Sequence, residues 1–274
     1  QFEAHQGEIY CIWMLHKTNI IVTGSIDRTV RFWDMDKQYA NVNSFEGHSD
    51  AILDVLTCVE QNMMFTASAD FTVKAWSLDN RSCWATFDGH TQVVKSLAYS
   101  QKLRLLFSGS KDGSIRCWDV STKKLSAKYE EQALSPVHCI QLLEKRQTVA
   151  SASDGPSIVL WKLGSKDPIA KLEGHLGAVY ALRKSDSENY LYSGGEDMSI
   201  YLWDLRKTVL LAKFGAEVHT KPITCLEFCR GLKMLFSGSE DKTVLVWNSE
   251  EFTLVSTLEG HKNTVTRLRY SDKM

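Results

Sequence analysis

The chain has 274 residues, of which 43 % are hydrophobic and 24 % charged, with a formal net charge of −1. That is an ordinary globular composition, long enough for one large all-β domain. It lacks the basic excess through which nucleic-acid binders neutralise phosphates, so no direct nucleic-acid partner is expected. Every apolar run falls well short of the roughly 18 residues of a membrane-spanning helix, so no membrane partner is expected either. No charged-then-apolar leader opens the chain. It begins with Gln1 rather than Met, which reads as a processed chain or a piece of a longer one. The seven cysteines are scattered singly, with none in a C-x-x-C pair. They read as free, buried thiols in a reducing compartment, the cytoplasm and with it the nucleus.

Taken in chain order, the elements recur. The first stretch carries His5, the β-branched Ile9, the hydroxyl of Thr23, Asp27, a second hydroxyl at Thr29, and Trp33. The second repeats it as His48, Ile52, Thr66, Asp70, Thr72 and Trp76, and the third as His90, Val94, Ser108, Asp112, Ser114 and Trp118. The fourth keeps Val137, Ser151, Ser157 and Trp161 but has Ala133 and Gly155 where His and Asp belong. The fifth restores the set with His175, Val179, Ser193, Asp197, Ser199 and Trp203, and the sixth with His219, Ile223, Ser237, Asp241, Thr243 and Trp247. Successive tryptophans of the series lie 42 to 44 residues apart, and each intact His precedes its Asp by 22 residues and its Trp by 28. A period of about 40–45 residues is that of a four-stranded propeller blade. The joint loss in the fourth repeat implies that His and Asp bond each other. Losing one alone would strand a buried polar partner at a cost of about 1–3 kcal/mol.

Within each repeat, β-branched and aromatic runs alternate with turn residues, which predicts three or four short strands. Leu105–Ser110, a turn through Asp112 and Gly113, and a strand ending at Trp118 make one such hairpin. A sheet of this kind buries its faces by stacking on neighbouring sheets. After Trp247, Glu259-Gly260-His261 and Thr264–Leu268 begin another repeat. The expectation is an all-β, seven-bladed propeller of four-stranded antiparallel blades. One domain spans residues 1–274, with six full repeats and the start of a seventh whose blade is incomplete.

The Gly-His pairs at 47–48, 89–90, 174–175 and 260–261, with the Trp-Asp pairs at 33–34, 118–119 and 203–204, resemble the WD-repeat family along essentially the whole chain. The resemblance implies that Phe2-Glu3-Ala4 supplies the outermost strand of the seventh blade and closes a ring. The two middle strands of that blade are not in this sequence, so the chain reads as part of a longer protein.

His, Ser or Thr, and Asp are also the ingredients of a hydrolase triad. Here the set recurs five times at identical spacing, as architecture does, and an enzyme is only a remote alternative. The tetrads His5/Thr23/Asp27/Trp33, His48/Thr66/Asp70/Trp76, His90/Ser108/Asp112/Trp118, His175/Ser193/Asp197/Trp203 and His219/Ser237/Asp241/Trp247 are therefore read as structural. No His or Cys cluster has zinc spacing and no Gly-rich loop cradles phosphate, so no metal, cofactor or small-molecule substrate is expected. Cys225 and Cys229 share one strand face as core.

What remains is binding to other proteins. The resemblance implies a top face with three variable positions per blade, at three and five residues after the His and one before the Asp. Those positions and their neighbours hold Tyr10, Ile26, Leu53, Ala69, Phe71, Val93, Lys95 and Lys111 in blades one to three. In the later blades they hold His138, Asp154, Tyr180, Glu196 and Glu240. An apolar sector beside an acidic one predicts a partner segment with large apolar residues and a Lys or Arg. The absence of arginine argues against phosphopeptide readers, and the missing Arg-Arg pair against phosphoinositide-binding propellers. The leading expectation is a rigid, non-catalytic interaction scaffold. The alternative comes from Trp203-Asp204-Leu205-Arg206, which with Asp197 resembles the box by which substrate receptors dock on the adaptor of cullin-4 ubiquitin ligases. Tyr201 departs from the basic residue usual in that box.

Overall fold

The structure is a computed structural model that describes residues 5–15, 18–131, 134–229 and 231–270. Phe2, Glu3, Ala4, His16 and Ala133 lie outside those residues. Each repeat folds into one antiparallel four-stranded sheet with its strands in chain order, and there are six such sheets. The first sheet is built from Ile9–Leu15, Ile20–Ser25, Val30–Asp34 and Ala40–Phe45. The fifth is built from Val179–Lys184, Tyr190–Gly195, Ile200–Asp204 and Val209–Phe214. The second strand is largely buried, and its sequence shows why. Met63–Ser68 runs apolar and then small, with little to separate one face from the other. The fourth strand is mostly exposed, as in Lys124–Glu130.

The hairpin between second and third strands turns on the repeated Asp. Asp27 Oδ1 accepts the Thr29 backbone N–H at 3.0 Å and the Thr29 hydroxyl at 2.7 Å, the local bonding that makes Asp a turn residue. The next residue takes left-handed backbone: Arg28 has φ 69°, Phe71 72°, Gly113 83°, Met198 58° and Lys242 73°.

Two compact units result, Gln1–Leu134 and Ser135–Asp272, with three sheets each. In the first unit, an aromatic at the end of one sheet meets the Trp of the next. Phe45 lies 6.0 Å from Trp76, and Phe87 lies 5.6 Å from Trp118. In the second, Leu172 packs in one cluster with Trp203, and Phe214 lies 5.6 Å from Trp247. Each such side chain contributes about 1.5–3 kcal/mol of hydrophobic burial.

The expectation of seven blades is corrected: the described residues form six four-stranded sheets. The stretch that begins the next repeat does dock. Val265 is buried, its N–H donates to the Ser239 carbonyl at 3.1 Å, and the Thr224 hydroxyl bonds its carbonyl. Residues 261–270 nevertheless form no strand of a sheet. A sheet needs partner strands, and this sequence contains no hydroxyl–Asp–Trp hairpin to pair with them.

Candidate functional site

Each intact repeat closes into the same chain of hydrogen bonds. In the third, the Trp118 indole N–H donates to Ser108 Oγ at 2.9 Å. Ser108 Oγ lies 2.7 Å from His90 Nε2, and His90 Nδ1 lies 2.8 Å from Asp112 Oδ2. The direction follows from chemistry. Indole only donates and carboxylate only accepts, so the serine proton points to Nε2 and the imidazole proton sits on Nδ1. Asp112 also accepts the Thr91 N–H at 3.1 Å and the Ser114 hydroxyl at 2.6 Å. The connectivity is that of a hydrolase triad, but Ser108 is fully buried and its oxygen already holds the Trp118 proton. No acyl group can reach it, so the set ties the loop before the first strand to the hairpin turn.

The same bonds hold His5 to Asp27 and Thr23 at 2.8 and 2.7 Å, and His48 to Asp70 and Thr66 at 2.7 and 2.7 Å. They hold His175 to Asp197 and Ser193 at 2.9 and 2.7 Å, and His219 to Asp241 and Ser237 at 2.8 and 2.8 Å. Trp33, Trp76, Trp203 and Trp247 each donate to the hydroxyl at 2.8 Å. Burial pushes the Asp27 carboxyl up, but bonds from Thr29 and His5 outweigh it and hold the group at about 2. Asp197 and Asp241 end at about 2 against the same burial, and Asp70 and Asp112 are also held well below the usual carboxylate range. Burial lowers His5, against the pull of Asp27. In the fourth sheet Trp161 still donates to Ser151, at 2.9 Å, and the serine turns to the Val159 carbonyl. Asp154 does not stand in for the lost Asp. It bonds His138 instead.

The first strand of every sheet carries a β-bulge near its start. Register skips one residue each time: Tyr10, Leu53, Lys95, His138, Tyr180 and Thr224. A bulge takes a residue out of the ladder and re-aims its side chain. Five of these six are residues the sequence reading singles out. The sixth, Thr224, was missed, although it stands five residues after His219 as the others stand after theirs.

In the first unit, Tyr10 and Leu53 are half-buried, Ile26 and Phe71 are exposed, and Ala69 and Val93 are half-buried. The Tyr10 hydroxyl donates to Glu8 at 3.0 Å. Half-buried Lys95 and exposed Lys111 share the third sheet. In the second unit, the His138 ring stands edge-on to Tyr180 at 4.9 Å. Burial raises the Tyr180 phenol, and the charges of Glu196, Asp154 and Glu240 raise it further. The Glu196 carboxylate accepts the Ala178 N–H at 3.0 Å. A recess of about 310 Å³ lined by Lys145, Ser185, Asp186, Ser187 and Phe228 lies at the other end of these first strands, away from the bulges.

The four residues of the Trp-Asp-x-Arg box separate. Trp203 and Asp197 are engaged inside the tetrad. Asp204 is buried and holds Arg206 at 3.2 Å. The Arg206 guanidinium reaches the surface, poised 5.8 Å over the Tyr190 ring. Links between neighbouring sheets were not foreseen. Asp54 accepts the Leu97 N–H at 2.8 Å, and Glu227 bonds Arg183 at 2.6 Å and Arg269 at 3.2 Å. The signal was available, since Arg183, Glu227 and Arg269 occupy one repeat position in successive repeats.

No helix is long and apolar enough to cross a membrane, and the described residues contain no cluster of three metal-ligating side chains. Repeated four-stranded sheets, tied by buried tetrads and each bulged in its first strand, define a β-propeller repeat protein. The chain belongs to the WD domain, G-beta repeat family, whose pattern matches residues 1–34, 40–77, 81–119, 166–204 and 210–248. The one repeat without a match is the fourth, which lacks the His and Asp. Proteins of this family bind other proteins.

Among similar proteins, an F-box/WD-40 repeat-containing protein of Arabidopsis thaliana is 28 % identical over 93 residues, 31 % of this chain and 17 % of that protein. The human F-box and WD repeat domain containing protein 10B is 42 % identical over 60 residues, 22 % of this chain and 8 % of that protein. The small ribosomal subunit protein RACK1y of Oryza sativa subsp. japonica is 37 % identical over 75 residues, 27 % of this chain and 22 % of that protein. The matches thus span less than a quarter of each relative's length.

Proposed function

We propose that this protein is a non-catalytic scaffold that takes partner segments on the bulged rim of its sheets. The observation behind this is the recurrence of the bulge at all six sheets, each time taking one residue out of the ladder register. In the first unit those side chains and their neighbours are apolar, with two lysines. In the second they are aromatic and acidic. The first unit suits a partner segment with large apolar residues, and Asp154, Glu196 and Glu240 of the second suit a segment with a Lys or Arg. Aromatic residues such as Tyr10 and Tyr180 are the type on which binding energy concentrates. No disulfide joins any of the seven cysteines, six of them buried as expected and Cys83 exposed against expectation, which fits work in a reducing compartment, the cytoplasm or nucleus.

Affinity purification from cells with mass spectrometry tests the reading. A Tyr10→Glu/Tyr180→Glu variant is expected to lose partners that wild type retains. An unchanged partner list removes the rim from consideration. A second reading, docking on a cullin-4 ligase adaptor, rests on the exposed and braced guanidinium of Arg206. Arg206→Ala would then lose that adaptor while keeping the rim's partners, and retention of the adaptor sinks it.

A further inference from the structure

A second bulge recurs in every sheet, in the fourth strand. Register against the third strand skips one residue each time: Val42, Trp84, Ser126, Ile169, Leu211 and Val255. In the first unit Val42 and Trp84 pack against hydrophobic clusters, and position 126 is a serine. In the second unit Ile169 is 54 % exposed and Leu211 is 49 % exposed. Val209 and Leu210, which precede Leu211 in the same strand, are 43 % and 41 % exposed. The fifth sheet thus carries three consecutive exposed aliphatic residues, and the fourth sheet adds another.

The two strands are neighbours. Leu172 and Ala170 of the fourth sheet's last strand, Pro168–Leu172, share a cluster with Tyr201, Trp203 and Leu205 of the fifth sheet. The strand that holds Trp203 pairs in turn with Val209–Phe214. The fifth sheet has a packed neighbour on each side, through Leu172 on one and Trp247 on the other. Its outer strand is therefore exposed with both neighbouring sheets in place. Single exposed aliphatic residues are ordinary. A run of three on a sheet surface is a fault unless a partner uses it.

The charges around the run have one sign. Residues 162–172 and 206–214 hold Lys162, Lys166, Lys171, Arg206, Lys207 and Lys213 against a single carboxylate, Asp167. All six cations are exposed. Arg206 is held by Asp204, and Lys213 stands 5.1 Å over the Tyr201 ring. Lys171 and Lys213 each follow the bulged aliphatic residue by two positions. A second copy of the chain would set these cations against their own kind, which opposes self-association here. The bulges and Pro168 also interrupt the edge that sheet-to-sheet pairing needs. Both strands are outer edges of their sheets. A lipid interior would leave their backbone N–H and C=O groups unsatisfied, whereas a peptide can bond them.

We infer that the outer strands of the fourth and fifth sheets dock an acidic partner segment rich in leucine or isoleucine. Its aliphatic side chains lie on Ile169, Leu210 and Leu211, and its carboxylates pair with Lys166, Lys171 and Lys207. The surface belongs to fourth strands, so it is separate from the rim formed by the first strands, and it does not use Arg206.

The probes are sets of short synthetic peptides in which the spacing of leucines is varied and the residues between them are glutamates, lysines or serines. A glutamate set without leucines completes them. Binding to the full chain is read by fluorescence anisotropy. Saturable binding is expected from leucine–glutamate peptides alone. It should weaken about tenfold or more with Leu211→Asp and with Ile169→Asp. Both positions are exposed, so unchanged thermal unfolding certifies the variants as folded. Lys171→Glu/Lys207→Glu should shift the preference to the leucine–lysine peptides. The Tyr10→Glu/Tyr180→Glu and Arg206→Ala variants should bind as wild type does, which separates this surface from the rim and from the adaptor reading. The inference is overturned by no saturable binding of any leucine–glutamate peptide, by binding indifferent to these substitutions, or by tighter binding to phosphatidylserine vesicles than to every peptide.

Discussion

At the scale of single residues, Phe71 stands out. It sits in left-handed backbone, φ 72°, where the third repeat has Gly113, and its ring is exposed in the turn. A non-glycine residue in that conformation is strained by about 1–3 kcal/mol. Glycine would relieve the strain, though its freer unfolded chain takes part of the gain back. Phe71→Gly is therefore expected to stabilise the protein by about 1 kcal/mol, read by urea unfolding. If the ring serves a partner, the same substitution weakens partner capture, so stability and binding move in opposite directions. A loss of stability would show that the ring packs rather than protrudes. Tyr180 is the complementary case. Its phenol is pressed by three carboxylates, so Tyr180→Phe should leave the fold intact while Glu196→Gln and Glu240→Gln weaken a basic partner, measured by calorimetry.

At the scale of elements, the tetrad and the inter-sheet links are the two devices that fix how a repeat closes and how it meets the next. His90→Ala leaves Asp112 and Ser108 buried without their partner, at about 1–3 kcal/mol. Adding Asp112→Gly should then cost less than its effect in wild type, since the pair acts as a unit. The fourth sheet is the natural precedent, for it folds around Ser151 and Trp161 with neither His nor Asp. Additive costs in a double-mutant cycle would refute the coupling. Glu227 is buried between two guanidiniums and burial raises its carboxyl. Replacing it by Gln removes the buried carboxylate that Arg183 and Arg269 share. The expected loss is about 3–5 kcal/mol, with amide exchange rising first around residues 265–269. A loss below 1 kcal/mol would mean that water already compensates the arginines.

For the whole molecule, the repeated carboxylates set the response to acid. Asp27, Asp197 and Asp241 sit at about 2 in the folded protein, and Asp70 and Asp112 are also lowered. The unfolded value is about 3.9. A depressed carboxylate stabilises the fold fully above its unfolded value and loses that contribution as pH falls through its native value. The steep loss is therefore expected between about pH 4 and pH 2. His5 behaves in the same sense at higher pH. Its native ring is kept neutral by burial, so its contribution is complete above about 6.5 and declines below. Melting temperature against pH should thus fall gently below 6.5 and sharply below 4. In hydrogen exchange the turn at Gly155, which has no such Asp, should respond least. A uniform response of all six turns would contradict the assignment.

The sequence by itself determined the repeat, the short strands of each sheet, and the tetrads residue by residue. These depend on contacts inside one repeat, and identical spacing reports them directly. It also pointed to the positions that turned out to be bulged, from Tyr10 to Tyr180, though not to the bulge that displays them. Tertiary structure decided the rest. Six sheets formed rather than seven because residues 261–270 reached their docking place beside Ser239 and Thr224 without strands to pair with. Asp154 went to His138 rather than into the tetrad because one residue's shift in a hairpin turn redirects a short side chain. Glu227 met Arg183 and Arg269 because stacking sheets brings one repeat position next to itself. Those outcomes belong to contacts between repeats, and periodicity, which compares a repeat only with its copies, is silent about what one copy places against the next.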